Sequence, residues 1–141
     1  MVRETLVMLP GMICDERLFA PQIRVLEAEY DIIVPGLCAR PSIAGMAQRV
    51  VSEVEAPTFN LLGISMGGIV ATAMAGQAPE RVRRLALLDT NHMADLAKRR
   101  PIPNRQIEGV RNGRLRAVIT EEMKPNYLAR PIAATRSCCT S

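Results

Sequence analysis

Aromatic residues are scarce in this chain: two Phe, two Tyr and no Trp. A core must therefore be assembled from Leu, Ile, Val, Ala and Met. No aromatic side chains interleave the basic ones as stacking platforms for bases would, so no nucleic-acid partner is expected. Long apolar runs are also missing. None approaches the ~20 residues that a membrane helix needs, which argues against a membrane partner. The start of the chain, Met1-Val2-Arg3-Glu4-Thr5, enters a short apolar stretch without the longer run and small-residue cleavage site of a signal peptide. A cytoplasmic location is the expectation. Cysteine is sparse and irregular: Cys14, Cys38, Cys138 and Cys139. They lack zinc-ligand spacing, and the adjacent pair at 138–139 makes no disulfide framework. Reduced thiols, no metal and no cofactor are expected. No Gly-Lys-Ser/Thr occurs, which excludes a P-loop.

Charge is displaced along the chain. Residues 1–92 hold 8 Lys/Arg and 10 Asp/Glu, whereas residues 93–141 hold 10 and 4. Such asymmetry can mark a surface for an anionic partner, whose binding would weaken steeply with salt. The simpler reading is a solvated, Arg-rich helix face.

What is present is a regular alternation. Thr5 to Leu9 is a short apolar run ended by Pro10-Gly11, a buried strand entering a tight turn. Asp15 suits the N-cap of a short turn of helix. Pro21 suits the first position of a helix carrying Ile23, Leu26 and Tyr30 on one side. Asp31 to Val34 reads as a second strand. Ser42 caps a helix with Ile43, Met46, Ala47, Val50 and Val54 at helical spacing. Phe59 to Ile64 reads as a strand buried on both faces, Met66 to about Ala78 as a helix ended by Pro79, and Val82 to Leu88 as a fourth strand. Strands alternating with helices imply an α/β fold: a parallel sheet of about four strands with helices on both faces, a three-layer sandwich. The last strand would leave an open apolar edge, a liability for self-association. Residues 93–123 look helical but weakly periodic, with Pro101, Pro103, Gly109 and Gly113 as breaks. Residues 130–141 carry no pattern. The expected organisation is a core over 1–92, a helical segment over 93–129 and a tail over 130–141.

The chemistry concentrates at Gly63-Ile64-Ser65-Met66-Gly67. A serine hydroxyl must be exposed, positioned and deprotonated before it can act as a nucleophile. A sharp strand-to-helix turn lifts it above the sheet edge, and Gly63 and Gly67 remove the side chains that would collide there. Gly68 and Ala71 let the following helix pack close to the strands. The helix N-terminus aims free N–H groups at the same place. An oxyanion hole needs two backbone donors. Met66 supplies one, and Met12 or Ile13 in Leu9-Pro10-Gly11-Met12 supplies the other. A plain Pro-Gly loop, or a glycine-rich turn that merely packs or binds phosphate, is the alternative.

These anchors, with Ala78-Pro79-Glu80-Arg81-Val82 leading into Leu85-Ala86-Leu87-Leu88-Asp89, resemble the α/β-hydrolase superfamily, specifically small esterase-like members. The resemblance covers about residues 5–130. It implies a partial α/β-hydrolase fold and a serine hydrolase acting on small ester or acyl substrates through Ser65. It implies that residues 93–128 correspond to the start of a cap, with Glu121 to Tyr127 in it. It also implies two further strands carrying the acid and the histidine, so the chain reads as truncated after about residue 130. His92 is the only histidine, and Ser65, Asp89 and His92 follow the family's chain order. His92 lies only three residues past Asp89, where the resemblance places no catalytic histidine, and an exposed loop histidine is the competing reading. Asp89 could orient a histidine or cap a following helix. Cys14 is expected to pack. Two functions stand side by side: an active esterase-type hydrolase, and an inactive fragment acting at most as a binding module.

Overall fold

The computed structural model describes residues 3–37, 41–91, 93 and 101–126. Cys38, His92, Tyr127, Cys138, Cys139 and the tail at 130–141 lie outside the described residues. The chain divides into two compact units, Met1–Met93 and Ala94–Ser141.

The first unit is a four-stranded parallel sheet in the order β2-β1-β3-β4. The strands are β1 (Glu4–Leu9), β2 (Tyr30–Ile33), β3 (Phe59–Ile64) and β4 (Val82–Leu88). They alternate with α1 (Ala20–Leu26), α2 (Ile43–Glu53) and α3 (Met66–Gln77). The expected caps form. Asp15 accepts the Arg17 N–H at the start of a 3-10 turn, Glu16–Phe19, and the Ser42 hydroxyl accepts the Gly45 N–H. Pro21 sits in the first turn of α1. Tyr30, expected on that helix, instead opens β2 and turns toward α1 from the sheet.

Side-chain alternation along the strands sorts two cores. Val7, Leu9, Phe59 and Leu61 meet Ala47 and Val50 of α2 and Val70, Ala71 and Met74 of α3. Leu6 and Met8 point the other way, onto Phe19, with Ile23 and Leu26 of α1 packed around them. The two faces are thus covered by different helices, as the sequence pattern implies.

One residue of β3 departs from its apolar surroundings. Asn60 is buried, its amide donating to Glu4 Oε2 at 2.8 Å and its oxygen accepting from Arg84 at 3.3 Å. The register slips between Phe59 and Asn60, so Val82 and Arg84 face consecutive residues of β3. Arg83 and Arg84 both reach Glu4, at 3.1 Å each. The buried amide is thereby satisfied.

A second polar device holds the other core together. Arg81 donates to the carbonyls of Val51 (2.7 Å), Val54 and Ala56 (2.6 Å each) and Pro57 (3.3 Å). Its guanidinium lies 5.3 Å from the centroid of the Phe59 ring. The carbonyls at the end of α2, which no helix can satisfy for itself, are closed by one planar cation.

The second unit contains α4 (Pro101–Arg111), a short α5 (Leu115–Ala117), a π-helical turn (Val118–Met123) and a 3-10 turn (Lys124–Asn126). Pro101 and Pro103, expected as breaks, are carried inside the described span of α4. Gly109 is carried inside α4. Gly113 does follow the end of α4, at φ +77°. Among the described residues, no helix is long and apolar enough to cross a membrane.

Candidate functional site

Parallel strands deliver their carboxyl ends to one edge of the sheet, where ligands bind in open α/β folds. Three loops meet at this edge: one after β1, one after β3 and one after β4. Each carries one strained residue. Among the described residues, the non-glycine positions with positive φ are Ile13 (57°), Ser65 (53°) and Asp89 (41°), one on each loop. Backbone strain of this kind persists only where surrounding structure over-determines it.

Ser65 links β3 directly to α3, at φ 53° and ψ −120°, and its side chain caps nothing. The turn depends on glycine in two different ways. A Cβ at Gly63 would lie 2.5 Å from the Gly67 carbonyl oxygen, the collision expected within the elbow. A Cβ at Gly67 would overlap the carbonyl oxygen of Leu9, so this glycine seats α3 against the end of β1. Gly68 adds a third close approach: a Cβ there would stand 2.5 Å from the Thr90 Cβ.

The first loop abuts the serine. A Cβ on Gly11 would lie 3.6 Å from the Ser65 Cβ and 3.8 Å from Cys14 Sγ. The Cys14 N–H donates to the Gly11 carbonyl at 3.2 Å, closing a turn with Met12 and Ile13 at its centre. Ile13 occupies the turn position that glycine normally takes, and its branched side chain makes φ 57° costly. Met12 and Ile13 are exposed at the edge. Cys14 is exposed too, contrary to the packing role expected for it, because the turn carries it out past the end of β1.

The third loop closes on the elbow from the other side. The Ser65 N–H donates to the Leu88 carbonyl at 3.0 Å, and the Thr90 hydroxyl donates to the Ser65 carbonyl at 2.7 Å. Asp89 stands between these two anchors. Aspartate tolerates the left-handed turn that swings Thr90 beneath α3. The helix it was expected to cap would follow in residues 92 and 94–100, which lie outside the described residues.

The structure thus brings together Gly63, Ser65, Met66 and Gly67 with the Met12 loop and Asp89. Its partner in the expected order, His92, lies outside the described residues. Thr90 was not legible as a site residue. The only hint was its place directly after Asp89, and nothing in local sequence tells which backbone group a threonine hydroxyl will meet. Among the described residues no cluster of His, Cys, Asp and Glu could hold a metal.

The sequence pattern of the alpha/beta hydrolase fold matches residues 40–117, more than half of the chain. The chain belongs to the α/β-hydrolase family. Solved structures share the fold. A thermophilic esterase from Thermogutta terrifontis superposes with a TM-score of 0.73 at 22% identity, covering 95% of this chain and 55% of that one. A marine microorganism esterase gives 0.67 at 17% identity, covering 79% and 48%. A membrane phospholipase A described as a bacterial virulence factor gives 0.57 at 25% identity, covering 63% and 33%. This α/β-hydrolase chain therefore spans between a third and about half of the length of these structures.

Proposed function

We propose that this chain carries the nucleophile half of an esterase-type serine hydrolase, with Ser65 attacking the carbonyl carbon of a small ester or acyl substrate. The observation that carries the reading is the strained Ser65 held at the strand–helix turn, with strained residues of two other loops around it. In the first half-reaction, the Ser65 hydroxyl would lose its proton to a base as Oγ bonds to the substrate carbonyl carbon. The substrate C–O bond then breaks, and the departing alkoxide takes the proton back. Water would release the acyl group by the reverse steps. The backbone N–H groups of Met66 and Met12 would hold the oxyanion, and Asp89 would orient an imidazole. His92 is the only imidazole in the sequence. No cofactor takes part in this scheme.

A fluorophosphonate probe should label Ser65, and a p-nitrophenyl ester should turn over in wild type but not in Ser65→Ala. An inert, folded wild type would overturn the reading. The second reading, an inactive fragment serving at most as a binding module, is favoured by the resemblance, which puts the acid and histidine on later strands. Turnover that survives Ser65→Ala would leave neither reading in place.

The same proposal extends to a partner. Among the described residues β4 pairs on one side only, and Leu85, Leu87 and Leu88 stay exposed. A second copy could add its own β4 antiparallel, which sets the basic Arg83-Arg84 end of each strand beside the acidic Asp89 end of the other. We take this self-pairing as the occupant of the open edge.

A further inference from the structure

The Ser65 carbonyl oxygen receives three donors: the Gly68 N–H at 3.0 Å, the Ile69 N–H at 3.3 Å and the Thr90 hydroxyl at 2.7 Å. The first two belong to α3 itself and would be made by any helix starting there. Thr90 alone comes from another element, the loop after β4, and its bond is the shortest of the three. The site is built to receive it. Gly68 leaves the space that the Thr90 side chain fills, and the left-handed turn at Asp89 (φ 41°) delivers it there. Even a methyl at residue 68 would displace the threonine.

A peptide unit is planar, and in its trans form the C=O and the next N–H point in opposite directions. Fixing the Ser65 carbonyl therefore fixes the Met66 N–H. The plane has rotational freedom to lose, because Ser65 occupies a sparsely populated backbone region (φ 53°, ψ −120°) from which the unit could relax. We infer that Thr90 is a positioning residue: its hydroxyl locks the Ser65–Met66 peptide plane and so aims the Met66 N–H at the oxyanion position. This deepens the proposed hydrolase reading and rests on it.

An oxyanion donor acts on charge that develops in the transition state, so misaiming it lowers kcat and leaves KM in place. Removing such a donor outright costs about 10²–10³-fold; a donor present but loosely aimed should lose about tenfold. Thr90→Val keeps shape and methyl packing but deletes the hydroxyl, and Thr90→Ser keeps the hydroxyl and deletes the methyl. The expected result with a p-nitrophenyl ester is a kcat about tenfold lower in Thr90→Val, KM within about twofold, and recovery to within about threefold of wild type in Thr90→Ser. A second readout does not depend on turnover. The Ser65 carbonyl carbon and Met66 amide resonances should move in Thr90→Val and return in Thr90→Ser. An active wild type with an unimpaired Thr90→Val sinks the positioning role and spares the hydrolase reading. So does a Thr90→Ser as slow as Thr90→Val. If wild type is inert, the catalytic inference falls with the hydrolase reading, and the resonances then decide whether the hydroxyl holds the peptide plane at all. Unmoved resonances would overturn that as well.

Discussion

β1 and β4 are built from nearly the same material and live in different surroundings. Each is a short parallel strand with a run of aliphatic residues, Leu6-Val7-Met8-Leu9 in one and Leu85-Ala86-Leu87-Leu88 in the other. In β1, Val7, Met8 and Leu9 are fully buried, whereas Leu85, Leu87 and Leu88 of β4 keep about two-fifths of their surface exposed. The cause is position. β1 has β2 and β3 on its two sides and helices over both faces, while among the described residues β4 has β3 on one side alone. A consecutive apolar run says that a strand is made to be covered on both faces. Whether the covering is there is a property of the rest of the fold.

The comparison can be broken by paired substitutions. Leu9→Ala should cost about 2–5 kcal/mol, the range for emptying a packed core site. Leu87→Ala should cost about 0.5 kcal/mol, as an exposed position does. Urea denaturation of both variants measures the difference. Equal losses would mean that β4 is covered in solution. The next effect sharpens what covers it. Leu87→Lys places a charge in the proposed β4–β4 seam and should weaken self-association about tenfold, read by sedimentation velocity across protein concentration. A species distribution unchanged by the lysine would rule the seam out.

The smallest effect concerns Glu4, which ties the two strands together across β3. Its carboxyl is held below its ordinary 4.5, first by the Asn60 hydrogen bond and then by Arg83 and Arg84. A depressed pKa contributes stability that is present above 4.5 and lost as pH falls through the lowered native value. The urea midpoint of wild type should thus fall toward that of Glu4→Gln on acidification. Parallel curves for the two proteins would show that the tie adds nothing.

Sequence pattern carried the element order, both side-chain caps and the sharp strand-to-helix turn at Ser65, because each rests on contacts within a few residues. Ser42 and Gly45, or Gly63 and Gly67, are close in the chain as well as in space. What escaped is non-local. The contact between Thr90 and Ser65 spans 25 residues, and Gly67 against Leu9 depends on where β1 lies beside β3. Asn60 inside β3 contradicted an all-apolar strand until Glu4 and Arg84 arrived from two other strands. Pro103, which reads as a break in the sequence, is carried inside α4.

The Arg81 clamp bears on how the unit is made as the chain leaves the ribosome. All of its acceptors precede it by 24 to 30 residues. α2, β3 and α3 can be synthesised in full while the carbonyls at the end of α2 still wait for their donor. The connection that brings Arg81 back across Phe59 closes them, immediately before β4 is added. The half-sheet is therefore latched by the residue that introduces its last strand, so an interrupted chain ending before residue 81 would lack both.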